Sequence, residues 1–358
     1  MHRFRHPLLP VALLIAAGCS GQHASSLNLE EMQIELLEEF ESTIPEFEGF
    51  LVAPNSCDFD DEGNLYVLDA RAHHIVVFDP AMRAVSVIGR EGDGPGELRM
   101  GRGGGCSLAI AGDLLVVSCA AGRIIHVFHL DGTFIDRFII DTDAVDMDIG
   151  GDGTIFISTR DAQTPLRAYN ISGEEIQRLG IAMIPIEVEP RQGDSQFRLR
   201  QANRCLLEVF DDGRLATFSL HWPILRLYSG DIMSEHEVDL AILATEGPAE
   251  FQQDYQDLMD EFRSHPPERI TRIAASRDVT REDFAQVSLL IRMRCIGRDL
   301  WAWNAGVLFR LNETGEITRI IKAGEFGIPW EFTIHENRVA FCYSSGDLAG
   351  IGIGRLPD

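Results

Sequence analysis

Four aspartates fall within eight residues, at Asp141, Asp143, Asp146 and Asp148. Hard cations such as calcium take several carboxylate oxygens, and carboxylates set this closely repel one another without a cation between them. No cofactor is otherwise expected. The spacing matches no EF-hand, so calcium stands against a solvated acidic loop. Zinc would need clustered histidine, cysteine or carboxylate ligands. The histidines do not cluster: His73 and His74 sit at a turn, His126 and His129 on one strand, and His221, His236, His265 and His335 are scattered. No Ser-His-Asp order or nucleophile elbow is visible, so no catalytic residue is assigned. Trp301 and Trp303, two apart on a strand, share a face. They read as core packing or as ligand-binding candidates that would stack on a sugar or peptide.

The elements that would position these residues repeat. Cys57-Asp58-Phe59 leading through Gly63 to Leu65-Tyr66-Val67 recurs as Cys106-Ser107-Leu108 through Gly112 to Leu114-Leu115-Val116. It recurs at Met147-Asp148-Ile149 with Gly153 and at Leu207-Glu208-Val209 with Gly213, and in degenerate form around Arg298 and Asn337. Third strands follow at matching offsets (His74 to Asp79, Ile124 to Leu130, Leu166 to Ile171, Ile224 to Tyr228, Val307 to Leu311). Fourth strands are read at Ala84 to Ile88 and Phe134 to Ile139. Short antiparallel strands in units of roughly 40–50 residues are what a propeller blade requires. The expectation is an all-β fold, a six-bladed β-propeller over 29–358. The sixth unit lacks a fourth strand, and Met32 to Phe40 is expected to supply it, with a Glu- and Leu-rich helix over Leu29 to Phe40 as the alternative. Pro185 to Gln201 interrupts the pattern. So does an insertion at 245–287 between blades four and five, where Phe251, Tyr255, Leu258 and Phe262 predict an amphipathic helix.

Six cysteines follow Cys19. If Gly112-Asp113 is a two-residue hairpin, Ala111 faces Leu114. Counting outward then sets Cys106 opposite Cys119 with Cα atoms about 4.5 Å apart, within disulfide reach. Cys57 holds the equivalent place in the preceding unit and competes for that bond. Cys205, Cys295 and Cys342 read as buried small apolar residues.

The start of the chain is an address. Arg3 and Arg5 precede an apolar run from Leu8 to Ala17, too short to span a bilayer and laid out as a secretory signal. Leu14-Ile15-Ala16-Ala17-Gly18-Cys19 resembles a bacterial lipoprotein cleavage site. That resemblance implies a signal at 1–18, acylation of Cys19, a lipidated tether at 19–28, and a compartment that permits disulfides. Ser20 after the cysteine implies the outer membrane, with the protein facing the periplasm or the cell surface. The net charge of −25, with Lys322 the single lysine, argues against a nucleic-acid partner, because phosphate would repel it.

Gly63-Asn64-Leu65-Tyr66-Val67-Leu68-Asp69, His74-Ile75-Val76-Val77-Phe78-Asp79 and Ile88-Gly89-Arg90-Glu91-Gly92-Asp93-Gly94-Pro95-Gly96-Glu97-Leu98 together resemble the NHL-repeat type of six-bladed propeller. The likeness extends to the propeller lipoproteins of bacterial envelopes. The Gly-rich stretch is not a phosphate loop: it carries Glu91, Asp93 and Glu97, has no lysine, and leads into strands rather than a helix. The resemblance implies a location and a fold, and with them a non-enzymatic binding or scaffold module for a protein, peptide or glycan. The alternative is a calcium-dependent lyase or lactonase-type hydrolase at the central channel.

Overall fold

The computed structural model describes residues 29–357 except 46, 101–105, 120–121, 143, 160, 162–163, 181–203, 221–223, 231, 239–291, 305, 324–330 and 346–347. The signal, Cys19 and its tether, the Pro185 to Gln201 stretch and the expected helical insertion all lie outside the described residues. Within them every regular element is a strand.

The first two strands are β1 (Leu29–Met32) and β2 (Ile34–Leu37). Blade one is β3 (Pro54–Phe59), β4 (Leu65–Asp69), β5 (His74–Phe78) and β6 (Ala84–Ile88). Blade two is β7 (Leu108–Ala111), β8 (Leu114–Cys119), β9 (Ile124–His129) and β10 (Phe134–Ile139). Blade three is β11 (Ala144–Ile149), β12 (Ile155–Thr159), β13 (Leu166–Tyr169) and β14 (Glu175–Leu179). Blade four is β15 (Cys205–Val209), β16 (Leu215–Ser219), β17 (Ile224–Ser229) and β18 (Ile232–Glu237). Blade five is β19 (Arg292–Ile296), β20 (Asp299–Asn304), β21 (Val307–Leu311) and β22 (Ile317–Ala323). Blade six has β23 (Glu331–His335), β24 (Arg338–Ser345) and β25 (Leu348–Arg355). The inner strands β3, β7, β11, β15, β19 and β23 neighbour one another in that order, and β23 returns to β3.

The turn glycines explain why the repeat is visible. Gly63, Gly153 and Gly213 hold φ of 79°, 83° and 81°, a left-handed conformation that a β-carbon disfavours. The N–H of each donates back three residues, to the carbonyls of Asp60, Gly150 and Phe210. In blade two the Gly112-Asp113 hairpin pairs Ala111 with Leu114.

There is no single core. Each gap between blades holds its own apolar layer. Successive residues of one strand therefore serve opposite neighbours: Leu65 and Val67 face blade six, Tyr66 and Leu68 face blade two. All five residues of β4 are buried.

The segment before blade one is strand, not helix. β2 pairs antiparallel with β25, Ile34 opposite Gly354 and Leu37 opposite Ile351, and so completes blade six. β1 does something the repeat did not foretell. It joins blade five as a fifth strand, parallel to β22, with Met32 buried among Trp303, Phe332 and Phe341.

Candidate ligand-binding channel

Each inner strand is an edge strand, and its inward N–H groups have no partner strand. Side chains from the preceding blade cover them. Ser56 Oγ accepts from the Leu108 N–H at 3.1 Å and Asp58 Oδ2 from Ile110 at 3.1 Å. Asp146 Oδ2 accepts from Leu207 at 3.0 Å, Asp148 Oδ2 from Val209 at 2.7 Å, and Glu208 Oε2 from Cys295 at 3.0 Å. A strand has period two, so the pairs Ser56/Asp58 and Asp146/Asp148 each face one neighbour and bind alternate backbone positions.

Two arginines on β19 tie these acids together. Arg292 bonds Asp146 at 2.5 Å and also pairs with Glu331. Arg294 pairs with Glu208 at 2.8 Å and Glu331 at 3.2 Å, and donates to the carbonyls of Phe332 and Cys57. Asp58 is held at 2.8 Å by the Thr333 hydroxyl. Asp146, Asp148, Glu208, Glu331 and Arg294 are buried, and Asp58 and Arg292 are partly so. Five carboxylates thus face two guanidiniums, an excess of acid that burial penalises.

Burial is also the first cause of the shifts. It pushes Asp148 up to about 7, against the pull of Arg294. It raises Glu208 well above the ordinary glutamate range and lifts Asp58 and Glu331, each again opposed by Arg294. A carboxyl whose pKa is higher folded than unfolded binds more protons in the native state, so stability falls as pH rises toward the folded value. His126 works the other way between about 4 and 6.5, because burial, with help from Arg137, pushes it down to about 4. The melting midpoint is therefore expected to decline above pH 6.5, where the acids alone still titrate. Asp148→Asn should flatten that decline; a midpoint that rises from pH 6.5 to 8 would contradict this assignment.

Above the network, where the inner strands end, the channel opens into a cavity of about 510 Å³. Asp58, Asp148, Glu208 and Arg294 line its floor. Asp60, Asp61 and Asp211 come from the surrounding turns and His335 from the end of β23. Asp60 is occupied with its own turn, accepting from the N–H groups of Glu62 and Asn64. Asp61 and Asp211 are exposed.

The structure divides the aspartate quartet. Asp146 and Asp148 reach the channel, whereas Asp141 is on the outer side, paired with Arg167; Asp143 lies outside the described residues. Among the described residues no three metal-binding side chains are arranged around a common point. Trp301 and Trp303 do not line the channel. Both are buried between blades five and six, with Trp303 4.8 Å from Phe341, because both faces of β20 are covered by neighbouring blades. Cys106 and Cys119 come opposite one another by register; like the other described cysteines they are free thiols in the structure, and the Cys119 thiol lies 3.6 Å from Met100 Sδ. His335 reaches the cavity mouth, His126 is buried in blade two, and His73 accepts from the Met100 N–H.

No family model matches the chain, and no curated protein matches its sequence. Among solved structures, virginiamycin B lyase from Staphylococcus aureus superposes with a TM-score of 0.51 at 11% identity, over 91% of this chain and 100% of that one. A putative exported protein from Bacteroides fragilis gives 0.50 at 11%, over 91% and 96%. BamB from Moraxella catarrhalis gives 0.40 at 13%, over 85% and 83%. The chain is a six-bladed β-propeller. At these identities the likeness is one of fold, and the chemistry must come from the channel itself.

Proposed function

We propose that this propeller is a non-enzymatic binding module of the bacterial envelope, and that the channel cavity takes a cationic group, a guanidinium or amine, presented by a protein or peptide partner. The observation that carries this reading is the cavity: about 510 Å³, within the range of ligand pockets, with the exposed carboxylates of Asp61 and Asp211 on its rim and Arg294, already paired with Glu208 and Glu331, the one guanidinium or amine among the described residues that line it. Such a concave acidic wall focuses its field on cations. The carboxylates of a calcium-dependent lyase would need oxygens open to the metal; here those of Asp58, Asp146, Asp148 and Glu208 accept from N–H groups, arginines or Thr333. A glycan would want an exposed aromatic platform, and the tryptophan pair lies in the core.

Lipid on Cys19 supplies the anchor in this reading, with the tether leaving the disc at its rim, where β1 lies on blade five. Cys19→Ala is then expected to release the protein from the membrane fraction; retention there would remove the lipid. Binding is tested by titrating labelled arginine-bearing, neutral and acidic peptides of equal length and following anisotropy. Preference for the basic peptide, lost in high salt, is the expected result, and equal affinity for all three would overturn it.

A further inference from the structure

The ring closes where blade six meets blade one, and two cysteines meet there. Cys57 lies on β3, the inner strand of the first blade, and Cys342 on β24, in the last. Both are fully buried in the same apolar layer, with Val67, Ala340 and Ile351 around them. Both are free thiols in the structure, and Cys342 is one of the neighbours that raise the Cys57 thiol. Nothing in the sequence pairs them, since they stand near opposite ends of the described chain.

We propose that Cys57 and Cys342 are oxidised to a disulfide as the ring closes, a covalent clasp between the first and last blades. The oxidant is another disulfide, either a small-molecule one or that of a thiol oxidoreductase. One cysteine thiolate attacks it, forming a mixed disulfide and expelling one thiol. The second thiolate attacks the mixed disulfide at the protein sulfur, forming the Sγ–Sγ bond and expelling the other thiol. Two electrons and two protons pass to the oxidant, which leaves as two thiols.

The step belongs to assembly rather than to the finished ring. With no exposed surface on either residue, an oxidant cannot reach the closed seam. Burial also pushes the Cys57 thiol up, away from the reactive thiolate. Once formed, the bond is shielded from reductant in the same way. A clasp across nearly the whole ring would restrain the unfolded chain more than a bond within one hairpin such as Cys106–Cys119.

The test uses the full chain, unfolded and reduced, then refolded with or without glutathione disulfide. Remaining thiols are alkylated in denaturant and the unreduced digest is read by mass spectrometry. A linked peptide pair containing Cys57 and Cys342 is expected in the oxidised sample, with a melting midpoint about 10 °C above the reduced protein. Cys57→Ala and Cys342→Ala should each abolish the linked pair and the oxidant-dependent gain. Recovery of folded, oxidant-treated protein with both residues alkylated would overturn the proposal. So would a bond joining Cys106 to Cys119 while Cys57 and Cys342 remain alkylated. The mapping on unsubstituted protein stands whether or not the variants fold.

Discussion

Arg294→Met is expected to lower the unfolding free energy by about 3–5 kcal/mol, the usual cost of leaving buried charge without its partner. Arg294 lies in the middle of the channel network. It neutralises Glu208 and Glu331, and its field opposes the upward shift of Asp58 and Asp148. Removing it leaves these carboxyls to be neutralised by protons, so the loss should shrink as pH falls from 8 to 5. Glu208→Gln in the Arg294→Met background should recover part of it, because glutamine keeps an acceptor for the Cys295 N–H while shedding a charge. Denaturant unfolding measures all three. A loss under about 1 kcal/mol for Arg294→Met, or one independent of pH, would show that the network does not bear on stability.

The second large effect is expected at the rim. Deleting residues 29–37 removes β1 and β2, with buried Met32 and the Glu30–Arg319 pair at 2.5 Å. Loss of a buried methionine alone costs about 2–5 kcal/mol. The deletion also uncovers the outer edge of β25, a template for pairing with other chains. Unfolding easier by at least about 3 kcal/mol, with concentration-dependent aggregation, is therefore predicted. Gly350 reports on the same contact without deletion. A β-carbon there would press into the Leu37 carbonyl oxygen, and one at Gly354 would meet Met32 Sδ at 2.7 Å. Gly350→Ala should give part of the loss. A truncated chain that melts with the intact protein would mean that the ring closes without these strands.

The architecture was legible because blade turns demand particular residues. Glycines at 63, 153 and 213 mark left-handed turn positions, and strands cut to fit between them could be counted into six units. The closing strand was legible for a related reason: a sixth blade with three strands needs a fourth. β1 was not, since its parallel pairing on β22 depends on where blade five's outer edge lies in space.

The channel was half visible. Asp58, Asp148 and Glu208 each stand five residues before a turn glycine, and that shared place was the signal that they line one axis. The local crowding at 141–148 is the louder signal, and it mixes channel-facing Asp146 and Asp148 with outward-facing Asp141. Arg292 and Arg294 carried a weaker sign, two cations spaced for one face of an inner strand in a blade whose turn had lost its glycine pattern. The tryptophans misled because two-residue spacing says that side chains share a face without saying what covers it. In a propeller both faces are covered.

The most direct test of the central claim is the effect of the cavity rim on basic-peptide binding. Asp61→Asn combined with Asp211→Asn removes two exposed charges that make none of the network's contacts, so the melting midpoint should hold. The affinity for the arginine-bearing peptide should fall about five-fold or more at low salt and converge with that of the unsubstituted protein at high salt. Undiminished affinity at low salt would contradict a cation seat in the channel cavity.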